Sequence, residues 1–332
     1  MKATLALWLG LFTAACNQSQ AAVAKSEAQP VVIRFSDPGN AGVMAYARRE
    51  GILERELAKV NAKIEWVPAA GAFSANFEAM NSGAINASGA AVSPIVGALA
   101  HNLPFKIFAI SDAALLKQSG IVSPAGSNVK RVEDLVGKRV AVNQAAHGDY
   151  ILLRALEQHG VPAEKVTRVP IQPPDAAAAF ATGKIDAWAT FGVFFTTAIR
   201  NGANVLVYTS QLDSDDVGVT SANAAVLAKG PRAFQVFLKV VQELSEKARR
   251  EPEKFQNVFT DKGPTAVSGE NLKLAIEETR ATSIPRVPTA EDRERVRRVS
   301  KLLFDNKSID REIAVEQLTF DIDEAAKKAS TL

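Results

Sequence analysis

VKRVEDLVGKRVAVNQAAHGDYILLRALEQHG, residues 129–160, holds one strand and one helix in compact form. Val132 to Leu135 makes a short helical turn, and Gly137-Lys138 leads into the β-branched run RVAVN, residues 139–143. A polar loop, NQAAHG, separates that strand from a helix spanning Asp149 to about His159. On that helix Ile151, Leu152, Ala155 and Leu156 fall at helical spacing for one buried side, and Gly160 ends it. A strand feeding a helix through a short loop is the unit of α/β proteins.

The same grammar extends in both directions. Toward the N-terminus, VVIRFS (31–36) reads as a strand, 42–59 as helix with a break at Gly51, and 64–67 as a second strand. A helix over 71–81 puts Phe73, Phe77 and Met80 on one face, and Gly83 stops it. A strand at 85–89 follows, then a helix with Ser93 as N-cap and Pro94 in its first position, then strands at 105–110 and 119–122. Toward the C-terminus, Pro173-Pro174-Asp175 precedes the helix AAAAF, with strands at 185–190 and 205–208 and a helix at 194–200 between them. Residues 217–227 read as an extended stretch long enough to cross between domains. From Pro231 onward the chain reads as helix. There Thr289-x-x-Asp292 is a cap signal; Val296, Val299 and Leu303 form an inner stripe, with Arg293, Arg295, Arg297 and Arg298 on a solvated side.

The N-terminus sets the compartment. Met1-Lys2 is followed by an almost wholly apolar stretch, 3–15, and then by Cys16, the only cysteine. Thirteen residues are too few for a permanent span, which needs about 20, but suit a secretory signal. Thr13-Ala14-Ala15 before Cys16 has the form of a bacterial lipoprotein processing site, which makes 1–16 a lipoprotein-like signal peptide and 17–30 a polar tether; the competing reading is cleavage after Ala24. A lone cysteine rules out an intramolecular disulfide, so a core must stabilise the fold. Apolar content of 47% with 23% charged residues is that of a globular protein large enough for two domains. The net charge is +3, with Lys and Arg interleaved with Asp and Glu, which argues against nucleic acid as a partner.

In α/β sheets small ligands bind beyond the strand ends, where helix starts offer unpaired N–H groups and the positive end of a dipole. Four loops have that character: 36–42, 88–93, 143–149 and 190–192. The second has little side-chain bulk and Ser93 at its end, either a ligand donor or a plain helix cap. The third carries Asn143, Gln144 and His147, with Asp149 as a carboxylate that caps the helix and weakens anion binding. His101 and His159 read as structural, and Asp186 as a carboxylate bonding a neighbouring turn. The chain carries no HExxH, GxSxG, P-loop or dinucleotide fingerprint, and its three histidines lack metal-ligand spacing. The expectation is therefore no enzyme, no metal and no cofactor.

The chain resembles the periplasmic solute-binding proteins of ABC importers for aliphatic sulfonates, taurine and nitrate, a group related to the thiamine-precursor binding proteins. The resemblance covers about residues 31–320. It is carried by 129–160, with its "DLxGKxVA" and "LLxxALxxxG" features, and by AFATGKIDAW (179–188) and AMNSGAINASGA (79–90), where Asn86 replaces the usual Asp. It implies a two-lobed α/β periplasmic binding protein of type II with the ligand cleft between its lobes. Lobe one would be 31–118 plus 222–332, and lobe two 119–221. The implied ligand contacts are Asn40, Gly42, Ala91, Val92, Ser93, His147, Gly148, Thr190 and Phe191. The implied function is a monomeric extracytoplasmic receptor that takes up a small anionic organic solute, closes over it, and delivers it to an ABC permease in the inner membrane while tethered through lipidated Cys16. Phe191-Gly192-Val193, His147, Asp149 and Val92 depart from the sulfonate pattern, removing donors and adding apolar surface, and leave open a less charged or more aromatic solute, a heterocyclic precursor such as a thiamine pyrimidine. The alternative functions are a sensory binding lipoprotein using the same lobes and an exported α/β enzyme pairing His147 with Asp149 or Asp186.

Overall fold

The computed structural model describes residues 29–69, 72–112, 117–263 and 265–331. The signal peptide, Cys16 and nearly all of the tether lie outside the described residues. No helix of the described residues is long and apolar enough to cross a membrane.

In chain order the elements are β1 (Val31–Ser36), α1 (Gly42–Arg49), α2 (Ile52–Ala58), β2 (Ala62–Val67), α3 (Phe77–Asn81), β3 (Ala87–Ala91), α4 (Val92–Ala100) and β4 (Phe105–Ser111). Then come β5 (Ser119–Ser123), β6 (Arg139–Val142), α5 (His147–Gln158), β7 (Thr167–Pro170), α6 (Pro173–Ala181), β8 (Ala187–Phe191), α7 (Gly192–Arg200) and β9 (Asn204–Tyr208). The chain ends with β10 (Gly218–Asn223), α8 (Ala224–Lys229), α9 (Pro231–Arg250), α10 (Gly269–Ala281), α11 (Ala290–Asp305), α12 (Val315–Leu318) and α13 (Ile322–Ser330).

Two five-stranded sheets result, β2-β1-β3-β10-β4 and β7-β6-β8-β5-β9. They share one plan. β1 runs parallel to β2 and β3, as β6 does to β7 and β8, and one antiparallel strand completes each sheet. That strand is always the one arriving from the other half: β5 is antiparallel to β8 and β9, and β10 to β3 and β4. The plan repeats down to single side chains. Asn86 Oδ1 accepts from the Arg34 amide at 2.8 Å, and Asp186 Oδ2 accepts from the Arg139 amide at 2.7 Å, each tying the segment before a strand to its neighbour. Asp186 thus has the turn-bonding role expected of it. Asn86 adds what an Asp cannot, an amide donated to Val32 O at 2.9 Å.

The helices follow their apolar spacing. α9 begins with Pro231 and buries Phe234, Phe237, Leu238, Val241 and Leu244 against Ile33, Phe35 and Phe108 of the first sheet. Burial of large side chains at about 1.5–3 kcal/mol each makes this the main anchor of the first half. α11 starts with the expected capping box, Thr289 Oγ1 accepting from Asp292 N at 3.2 Å while Asp292 Oδ2 accepts from Thr289 N at 3.0 Å. Val296, Val299 and Leu303 are its buried stripe. All four of its arginines are ion-paired rather than simply solvated: Arg293 lies 3.6 Å from Asp321, Arg297 bonds Glu294 of the same helix at 2.9 Å, Arg298 grips Asp215 with two 2.7 Å bonds, and Arg295 reaches Asp112. Asp112 and Asp215 lie on the two connections between the sheets, so α11 clamps both.

α5 has two buried sides. Ile151, Leu152, Ala155 and Leu156 pack on the second sheet, as the spacing predicts. Tyr150 and Leu153, with Ala145, join the core formed by Ile95, Val96, Val296, Val299 and Leu303 beneath α4 and α11. The two halves therefore share a core through α5.

Several boundaries differ from the sequence reading. The helix expected over 71–81 is a 3-10 turn, Phe73–Asn76, running into α3. α4 starts at Val92 after Ala91, so Ser93 lies inside the helix and caps nothing. α5 starts at His147, placing His147 and Gly148 in its first turn rather than in the loop. The stretch 217–227 is not extended throughout: β10 ends at Asn223, whose side chain caps α8 by accepting from Ala225 N. Gly218 already pairs with Ala91 and Ser111, so the chain re-enters the first sheet ahead of the 221/222 boundary expected from the resemblance.

Candidate functional site

The end of β3, the start of α4, the start of α5 and the end of β8 meet across a cavity of about 530 Å³ between the two sheets. Its first-half wall is Phe73, Ser74, Gly89, Ala90, Ala91 and Pro94. Its second-half wall includes Ser119, Asn143, His147, Phe191, Thr209 and Leu212, and Asp216, Val217 and Gly218 of the returning connection close it. Among the described lining residues there is no lysine or arginine.

The centre of the site is a buried chain of polar side chains. Asp216, whose side chain is 0% exposed, accepts from Ser93 N at 2.7 Å, from Ser93 Oγ at 2.5 Å and from His147 Nδ1 at 2.7 Å. A carboxylate accepts, so Nδ1 donates and the other ring nitrogen, Nε2, is left to face a different partner. His147 is 7% exposed, its ring packs edge-on to Phe191 at 5.1 Å, and Nε2 has no partner among the described residues. Nearby, Tyr150 accepts from Asp215 N at 2.8 Å; burial, reinforced by the Asp216 charge, pushes its phenol pKa well above the ordinary value.

Two further buried atoms on the same wall also lack partners, Ser119 Oγ and Thr209 Oγ1. The sheet register explains why they converge with the histidine. Ser119 lies directly opposite Phe191, so the two project to the α5 side of adjacent strands, and Gly120 lies opposite Tyr208, which brings Thr209, the residue just past the end of β9, beside Ser119. Ala187, Ala189 and Val207 share that parity and pack under α5. Buried polar atoms without partners are uncommon, and three in one wall mark where an external group completes the bonding.

The structure sorts the candidate residues. Ala91, His147 and Phe191 line the cavity. Ser93 does not reach it, because its amide and hydroxyl both go to Asp216. Val92 is fully buried in the core with Ile95 and Val96. Gly148 is walled in: a Cβ there would stand 2.4 Å from Asn143 Oδ1 and 2.6 Å from Ala189 O. Thr190 is one residue out of phase with Phe191 and shares the parity of Trp188, which packs with Phe195 of α7 on the opposite face. Asn40 and Gly42 are not among the lining residues; Asn40 holds the 258–265 loop, donating to Thr260 O at 2.8 Å and accepting from Phe259 N at 2.8 Å. His101 and His159 are occupied structurally, by Gly97 O and Glu133.

Three of the four helix starts expected to hold an anion are taken by the chain itself. At α4 the acceptor is Asp216. At α5, Asn143 Oδ1 accepts from Gly148 N at 2.8 Å, and at α7, Gln118 O accepts from Gly192 N at 2.7 Å. Asp149 does turn back on the α5 start, accepting from Ala145 N at 3.0 Å, but it is fully buried and paired with Arg168 at 3.0 Å, away from the cavity lining. Asp216 and the orphaned hydroxyls of Ser119 and Thr209 are the site residues that sequence reasoning missed. Among the described residues no group of three or more His, Cys, Asp or Glu is placed to hold a metal ion.

Comparison with known proteins adds to this geometry. A family model described as NMT1/THI5 like matches residues 77–255. A protein of Bacillus subtilis (strain 168) whose name assigns it the binding of aliphatic sulfonates is 26% identical over 209 residues, 63% of this chain and 62% of that protein. The taurine-binding periplasmic protein of Escherichia coli (strain K12) is 29% identical over 143 residues, 42% of this chain and 41% of that protein. The chain thus matches about three-fifths or less of the length of these relatives. The alkanesulfonate-binding protein SsuA from Xanthomonas axonopodis pv. citri, solved bound to MOPS, superposes with a TM-score of 0.75 at 20% identity, over 89% of this chain and 99% of that one. The fold is therefore the two-lobed α/β fold of periplasmic binding proteins.

Proposed function

We infer the function from one premise: the chain belongs to the NMT1/THI5-like family. It acts as an extracytoplasmic receptor that captures a small anionic organic solute, of the aliphatic sulfonate or taurine class, and delivers it to an ABC permease. The observation that carries this reading is the cavity between the two lobes, where His147 Nε2, Ser119 Oγ and Thr209 Oγ1 await partners beside an apolar wall. Hydroxyls are suitable donors to sulfonate oxygens, His147 Nε2 is an acceptor that a bridging water can link to them, and Phe73, Ala90, Ala91 and Pro94 suit the carbon body. Lobe one comprises the first sheet with the C-terminal helices and lobe two the second sheet. The same cavity supports a receptor rather than an enzyme, because it offers recognition groups without an acid–base pair facing a common point: the one imidazole among the described lining residues is bonded through Nδ1 to the buried Asp216 carboxylate.

A thermal-shift screen of sulfonates, sulfate esters, nitrate, phosphonates and pyrimidines tests this reading. A ligand present at a thousand times its Kd stabilises by about 4 kcal/mol, which for a chain of this size raises Tm by roughly 5–10 °C. Sulfonates should give the largest shift; a dominant response to pyrimidines would replace the solute class, and a flat response throughout would overturn the receptor reading.

The receptor works in the periplasm and is held at a membrane by lipidated Cys16. Fractionation of cells making Cys16→Ser should move the protein from the membrane to the soluble fraction, whereas unchanged partitioning would remove the anchor.

A further inference from the structure

We propose that Asp216 is the specificity-determining residue of the cavity: it is a resident anion at the start of α4 that limits the solute to a monoanion with an uncharged, apolar body. This rests on the receptor reading above and names the subclass of solute within it.

α4 presents its N-terminal N–H groups toward the cavity end of β3, a position that favours negative charge. Asp216 fills it, with Oδ1 on Ser93 N and Oδ2 on Ser93 Oγ. The first lobe therefore has its anion already, contributed by the chain. The hydroxyl donors left open, Ser119 Oγ and Thr209 Oγ1, stand on the second-lobe wall beside the unpartnered acceptor Nε2 of His147. One small charged head fits there. A second negative charge on the solute would be brought toward the buried Asp216 carboxylate with no lysine or arginine among the described lining residues to offset it.

A positive charge on the solute fares no better. Asp216 is the one carboxylate among the described lining residues, and its side chain is 0% exposed. Three of its roughly four acceptor positions are used by Ser93 and His147. The ammonium of an aminosulfonate would lose its water without gaining a hydrogen bond to that carboxylate. What remains opposite the donor wall is Phe73, Ala90, Ala91, Pro94, Leu212 and Val217, which takes an alkyl or aryl body.

Calorimetric titration of the purified protein with 1-butanesulfonate, taurine and ethane-1,2-disulfonate tests this directly, because an unpaired charge left in a closed site costs several kcal/mol. Butanesulfonate should bind at least about 100-fold more tightly than either of the others. Asp216→Asn, which keeps the side-chain shape and removes the charge, should narrow the butanesulfonate-to-disulfonate ratio at least about 10-fold while leaving taurine excluded. Taurine or the disulfonate binding within about 3-fold of butanesulfonate in the wild type would overturn the inference, as would an unchanged ratio in a folded Asp216→Asn. If that variant does not fold, the wild-type ratios decide. Failure of every sulfonate to bind would instead overturn the solute class itself, which separates the two claims.

Discussion

Gly97→Val should lower stability by about 3–5 kcal/mol, a fall in Tm of roughly 6–12 °C, because it drives a side chain into backbone. A Cβ at Gly97 would stand 2.3 Å from Ala145 O and 3.3 Å from Ala145 C. Gly97 is where α4 of the first lobe touches the segment leading into α5 of the second. That segment cannot yield easily: Ala145 has a positive φ of 52°, and its amide is held by Asp149. The substitution thus pries apart the shared core that contains Ile95, Val96, Tyr150 and Leu153. Gly89→Ala is the control, since nothing lies within 4 Å of its added Cβ and its φ is ordinary; its cost should stay within about 0.5 kcal/mol. Thermal melts of the two variants check this, and equal stabilities would mean that α4 and α5 are not packed as described.

Asp149→Ala should destabilise by about 3–5 kcal/mol, the cost of breaking a buried ion pair from one side. Asp149 Oδ1 accepts from Arg168 Nη1 and Oδ2 from Ala145 N, both at 3.0 Å. Arg168 continues to Ser308 Oγ at 2.7 Å and to Asn306 O, just beyond α11. Removing the carboxylate leaves a guanidinium without its counter-charge and an amide without its acceptor, and it loosens a strained residue at the α5 start. The double variant with Arg168→Met should recover part of the loss, because the uncompensated charge goes too. Denaturant midpoints of the two single variants and the double variant measure the coupling. A single-variant loss under about 1 kcal/mol would show that Arg168 is held well enough by the α11 end alone. The account also reverses a simple electrostatic expectation, that neutralising Asp149 tightens an anion: its charge is spent on Arg168.

The alternation of strands and helices was legible because it is local. β-branched runs such as RVAV and the apolar spacing of Ile151, Leu152, Ala155 and Leu156 determine element type with little help from elsewhere. Helix starts were less legible. Ser93 and Pro94 carry a cap signal, yet the chain enters α4 two residues earlier because Ser93 has a tertiary acceptor in Asp216, 123 residues away. The start of α5 is likewise set by Asn143 and Asp149 folding back on it. The site was readable to the extent that it sits at strand ends, which brought out Ala91, His147 and Phe191. Thr190 was lost to parity, since one residue along a strand changes the face. Asp216 was hidden because the acidic run at 213–216 reads as a solvated turn, and nothing local tells its last carboxylate apart from the others. Ser119 and Thr209 matter only as orphans, a property that exists once the strands are paired.

The central claim is that a single small organic anion occupies the cavity between the lobes and completes the bonding of its second-lobe wall. A crystal structure of the protein grown with the strongest solute of the thermal-shift screen tests it most directly. The account predicts solute oxygens within hydrogen-bond distance of Ser119 Oγ and Thr209 Oγ1, a bridging water at His147 Nε2, the carbon body against Phe73 and Pro94, and Asp216 still bonded to Ser93. Solute seated instead in the larger recess of about 980 Å³ beside Gln172, Lys307 and Ser308, with those three atoms still unpartnered, would contradict it.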